Sequence, residues 1–66
     1  MIIICNGKEM EVAEGLTIER LILDLDLNPD TVVVECDGKI VLRGAYESHV
    51  LQESSTLELI RFVGGG

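Results

Sequence analysis

Sixty-six residues amount to one domain, close to the lower size at which a chain folds without disulfides or metals. An apolar fraction of 47% excludes a disordered chain, and the core it supplies is aliphatic, since Tyr46 and Phe62 are the only aromatics. Twelve acidic against five basic residues give a net charge of −7, which disfavours nucleic acid and anionic membranes and favours a basic docking surface on another protein.

Ile2 to Cys5 is a short apolar run that ends at Asn6-Gly7. That dipeptide suits a type I′ turn, because both of its positions need φ > 0. The return strand is Lys8 to Ala13, with Met10 and Val12 alternating against Glu9 and Glu11, and Gly15 breaks it. A helix follows. Thr17 is its N-cap, and Ile18, Leu21, Ile22 and Leu25 fall at the i, i+3, i+4, i+7 spacing of one buried face. Leu16 and Leu21 occupy the two positions of a hydrophobic staple. Pro29 ends the helix and biases Asn28 away from helical angles.

Thr31 to Cys36 is β-branched and reads as a well-buried strand, turned at Asp37-Gly38 into a return over Lys39 to Leu42. From Arg43 to Leu51 the periodicity fails, and Gly44 and Ser48 predict a loop with one helical turn. Glu53-Ser54-Ser55 is a turn into the last strand, Thr56 to Val63, where Leu57 and Leu59 alternate against Glu58, Ile60 and Phe62.

The order ββ-α-ββ-β predicts an α+β fold, a β-grasp: a small mixed sheet of four to five strands with one main helix across one face. Topological preference places the first and last strands side by side and parallel. Residues 1–63 form the domain, and Gly64, Gly65 and Gly66 are expected to be a flexible tail. Met1-Ile2-Ile3-Ile4 lacks the basic stretch that opens a secretory signal, and no apolar run reaches the length of a membrane span, so a cytoplasmic protein, monomeric when free, is expected.

The candidate site is the end of the chain. Glycine lacks the Cβ that restricts φ and ψ, so Gly64-Gly65-Gly66 suits a narrow channel and presents a bare carboxylate to a nucleotidyl-transferring enzyme. A frayed end is the competing reading. Ile60 and Phe62 are expected on the sheet face away from the helix, joined there by Ile2 and Ile4, as an apolar docking patch; Arg61 and Val63 complete it at the root of the tail. Cys5 and Cys36 each sit in an apolar run and read as small buried hydrophobes. His49 lacks a neighbouring acid or cysteine at catalytic spacing, and neither a metal site nor a phosphate loop is present in the sequence.

The residues Met1-Ile2-Ile3-Ile4-Cys5-Asn6-Gly7-Lys8, Leu16-Thr17-Ile18 with Leu21-Ile22, Val32-Val33-Val34-Glu35 with Lys39-Ile40-Val41 and Arg43, and Phe62-Val63-Gly64-Gly65-Gly66 together resemble the ThiS family, the ubiquitin-like sulfur carriers of thiamine biosynthesis. The chain departs from the family's habit in two loops, Glu53-Ser54-Ser55 and the segment holding Tyr46. The resemblance implies a protein substrate rather than an enzyme, with no cofactor of its own. An adenylating, ThiF-like activating enzyme would use ATP on the Gly66 carboxylate, and sulfur would displace AMP to leave a thiocarboxylate. A ThiG-like thiazole synthase would then receive the sulfur. A molybdopterin-type sulfur carrier, or a β-grasp modifier without sulfur chemistry, shares the same outline.

Overall fold

A computed structural model describes residues 1–61. The expected Phe62, Val63 and glycine tail lie outside the described residues. Five strands, β1 (Ile2–Cys5), β2 (Lys8–Glu11), β3 (Val32–Cys36), β4 (Lys39–Val41) and β5 (Thr56–Arg61), form one mixed sheet, and α1 (Ile18–Asp24) lies across it. The strand order is β2-β1-β5-β3-β4. β1 and β5 are parallel neighbours, as topology predicts, and the other pairings are antiparallel.

Both hairpins turn as their dipeptides require. Asn6 and Gly7 have φ of 51° and 81°, Asp37 and Gly38 φ of 51° and 85°, the left-handed pair that matches strand twist. One face of the sheet meets the helix through Ile3, Val34, Leu57 and Leu59, against Ile18, Leu21 and Ile22. Fully burying a Leu or Ile side chain contributes about 1.5–3 kcal/mol, so these side chains outweigh any local preference of a seven-residue helix.

The helix is shorter than its periodicity predicts. It ends at Asp24, and Leu25, expected on the buried face, is 37% exposed. Pro29 does not end it. Asp26 takes a left-handed φ of 63°, its N–H donates to the Leu23 carbonyl, and the Leu27 N–H donates to that of Ile22. These two bonds are a Schellman motif with aspartate where glycine is usual, which is why the sequence did not signal the stop. Pro29 instead opens a short 3-10 turn, Pro29–Thr31, capped by the Asn28 side chain, so the following strand starts at Val32.

The aperiodic segment 43–55 caps the other end of the helix. Thr17 Oγ1 accepts from the Arg20 N–H at 3.2 Å, while the Ile18 and Glu19 N–H groups donate to the carbonyls of His49 and Tyr46, each at 3.0 Å. Orphan first-turn donors are thus satisfied by a loop rather than by water. Tyr46 anchors that loop: it is buried, and its hydroxyl donates to the Val32 carbonyl at 2.6 Å.

Cys5 and Cys36 are core residues. Both are register partners of Leu57, one on each side, so their Cα atoms stand two strand spacings apart. At about 9.5 Å that exceeds the roughly 7 Å span of a disulfide. Burial raises both thiol pKa values above the usual 9.0, helped at Cys5 by Glu58 and at Cys36 by Asp37. A raised acid pKa keeps the thiol protonated in the folded state while the unfolded chain ionises first. The associated stability is therefore complete below the unfolded value and is lost as pH rises through the folded one.

Two expectations follow from this packing. Tyr46→Phe leaves the Val32 carbonyl without its hydroxyl donor and should cost about 1–2 kcal/mol in urea unfolding, out of roughly 3–10 kcal/mol for a domain of this size. The unfolding midpoint should hold steady at neutral pH and fall above about pH 9, with a shallower fall in the Cys5→Ala, Cys36→Ala protein.

Candidate functional site

The residues nearest the candidate tail are held by β5. Its burial alternates: Leu57 and Leu59 face the helix, and Thr56, Glu58 and Ile60 face away. Ile60 is 52% exposed on the outer face, where the alternation predicts it. Arg61, the last described residue, is exposed, but it shares the parity of Leu57 and Leu59 and so leaves β5 on the other side from Ile60. Of the expected docking residues, Ile60 and Arg61 are therefore neighbours in sequence without sharing a face. Phe62, Val63, Gly64, Gly65 and Gly66 lie outside the described residues.

Register decides what surrounds Ile60. Ile2 and Ile4 do share its face, but Ile4 is opposite Thr56, four residues from Ile60 and about 13 Å away along the strand. They belong to the other end of the sheet. The cross-strand partner of Ile60 is Val33; one row along on the same face, Ile40, 59% exposed on β4, stands opposite Glu35, and Leu42, 75% exposed, follows two residues later. Periodicity marks each of these as a strand residue, yet nothing in it says that β3 neighbours β5, so the sequence did not group them with Ile60.

Two turn residues fix the position of β5. Strand β1 stops at Cys5, and beyond it Asn6 takes over the pairing. The Asn6 N–H donates to the Leu57 carbonyl at 2.9 Å, its Oδ1 accepts from the Leu59 N–H at 2.8 Å, and its Nδ2 donates to the Leu59 carbonyl at 3.4 Å. Asn6 thus acts as one more residue of strand. At the opposite end Asp37 does the same: its N–H donates to the Thr56 carbonyl at 2.8 Å, and its Oδ1 accepts from the Thr56 N–H at 2.9 Å.

The described residues contain no assembled catalytic group. No cluster of three or more His, Cys, Asp or Glu side chains among the described residues suits a metal. An open groove of about 560 Å³ beside β4 is lined by His49, Lys39, Val41 and Leu42 among others. His49 contributes through its carbonyl, which holds the start of α1. No helix among the described residues is long and apolar enough to cross a membrane. What the domain offers is a rigid strand with an exposed apolar end.

Asn6→Gly keeps the left-handed turn and deletes only the side-chain bonds to Leu59. It should cost about 1–2 kcal/mol and accelerate amide exchange at Leu59 while leaving Leu57 protected.

Comparison with known proteins bears on the same strand. A family model, the ThiS family, matches residues 3–66. The chain is 39% identical over 61 residues to a thiazole synthase of Magnetococcus marinus, and 30% identical over its full length to a thiazole synthase of Paramagnetospirillum magneticum. It covers 92% and 100% of itself in these matches but only 19% and 20% of those proteins, so it spans about a fifth of their length. Among solved structures, the thiamine biosynthesis protein ThiS of Geobacter metallireducens superposes over the whole of both chains with a TM-score of 0.85 at 30% identity. A family match through residue 66, together with a full-length match in fold, means that this chain belongs to the ThiS family, the small β-grasp sulfur carriers of thiamine biosynthesis.

Proposed function

We propose that this domain is itself a sulfur carrier whose reacting group is the carboxylate of Gly66. A carboxylate is a poor electrophile at neutral pH. Attack of its oxygen on the α-phosphorus of ATP, in the active site of an activating enzyme, expels pyrophosphate and gives an acyl-adenylate. Sulfide from the sulfur donor then attacks the acyl carbon, expels AMP and leaves a thiocarboxylate. That group is a soft nucleophile, and it delivers its sulfur to a thiazole synthase. The chain is the substrate throughout: the activating enzyme holds the ATP, and the domain needs no cofactor of its own.

Residues Gly64 and Gly65 act as the tether, since a Cβ at either would restrict the backbone angles needed to thread a slot. Ile60, Phe62 and Val63, with Arg61 reaching from the other side of β5, are the surface by which the enzymes hold the domain. The observation that carries this reading is the family match running through residue 66 onto a strand already fixed on both edges. The names of the two thiazole synthase relatives favour thiazole formation as the destination of the sulfur. Residues 1–63 are then the handle and 64–66 the arm.

The test is an intact-mass measurement after incubation with the cognate activating enzyme, ATP and a sulfur donor. A sulfur-for-oxygen increase located on Gly66, followed by its loss when thiazole synthase and its substrates are added, is the expected result. An unchanged mass with a competent activating enzyme would reject the carrier role, and a thiocarboxylate that thiazole synthase does not discharge would redirect it to another acceptor.

A further inference from the structure

The outer face of the sheet carries an uncompensated pair of carboxylates at its centre. Register sets Glu35 on β3 directly opposite Glu58 on β5. Directly opposed side chains have Cβ atoms about 4.5–5.5 Å apart, and like charges there oppose folding. No basic residue relieves them: Lys8 and Lys39 are paired with Cys5 and Cys36 and so share the parity of the helix side, as does Arg61. Arg20 and Arg43 are engaged elsewhere, with Asp24 at 3.0 Å and Asp30 at 2.9 Å. Glu9 and Glu11, on the same outer parity of β2, add charge of the same sign.

Aliphatic side chains border this pair. Ile40 sits beside Glu35 in register, and Ile60 and Val33 form the next row along the strands. Glu35 itself is half-buried. An exposed apolar border lowers the local dielectric once covered, which strengthens any charge interaction inside it.

From this arrangement we infer that the outer sheet face docks a protein surface that inserts an arginine between Glu35 and Glu58. The occupant is chosen by charge and geometry. A guanidinium presents several donors in a planar fork and bridges two carboxylates, and its weak hydration suits an apolar border better than a lysine ammonium. The repulsion that burdens the free domain then becomes attraction in the complex, and the face rejects partners that bring an acid or a neutral side chain. This inference rests on the carrier reading, and it adds to Ile60 and Phe62 the two residues that set which enzyme surface fits.

The Glu35→Gln, Glu58→Gln protein separates binding from folding, because the two respond in opposite directions. Its urea midpoint should match or exceed that of the unaltered chain, and so should that of Glu58→Lys, which sets opposite charges face to face. Affinity for the purified cognate activating enzyme or thiazole synthase, measured by titration, should fall by about tenfold or more, and the association rate should lose much of its salt dependence. Unchanged affinity would overturn the inference and leave the carrier reading standing. A lowered midpoint would also overturn it, since the carboxylates would then be structural. Failure of the unaltered chain to bind either enzyme would overturn the carrier reading, and this inference with it.

Discussion

Strand β5 receives partners on both of its edges, β1 on one side and β3 on the other, and among the described residues only β5 joins the two hairpins into a sheet. Its hold depends on hydrogen bonds beyond those that β1 and β3 themselves provide. Asn6 and Asp37, the first residues of the two type I′ turns, extend that pairing with their side chains at opposite ends of the strand. A turn residue chosen for its tolerance of positive φ therefore also lengthens a ladder. The core is consistent with this geometry: Leu57, at the level of both cysteines, is fully buried, and the helix lies over the same row.

The two faces of β5 divide the work of the molecule. Leu57 and Leu59 are committed to stability, and their neighbours Glu58 and Ile60 contribute little to it. A surface that is free of folding duty can be shaped for partners without a cost to the core. The opposed glutamates go further and oppose folding, the sort of local conflict with a stable sheet that functional surfaces carry.

Much of this fold was legible in the chain because its punctuation is strong. Asn6-Gly7 and Asp37-Gly38 fixed both hairpins, Thr17 fixed the start of the helix, and the alternation of Leu57 and Leu59 against Ile60 fixed the exposed face. Strand adjacency was not legible in residues, because pairing between distant segments leaves no local pattern. For that reason alternation alone sets Ile2 and Ile4 beside Ile60 and says nothing of Val33. The helix stop is hidden for a different reason. Asp26 adopts a left-handed conformation that aspartate takes only occasionally, whereas Pro29 advertises a break that has already occurred. Tyr46 reads as an odd aromatic in an aperiodic loop, whereas its role as a hydroxyl donor to Val32, 14 residues earlier in the chain, appears only in the tertiary fold.

The middle place of β5 in the sheet also orders events during synthesis. A ribosome releases the chain from its N-terminus, so both hairpins and the helix emerge before Thr56 does. Until then β1 and β3 each have an open edge, and no sheet spans the domain. Closing it requires contacts between segments far apart in sequence, the slow class of folding step. A nascent chain cut short before Thr56 thus has neither a closed sheet nor the outer face on which Glu58 and Ile60 stand. The six residues of β5 thus close the sheet and finish its outer face in a single step.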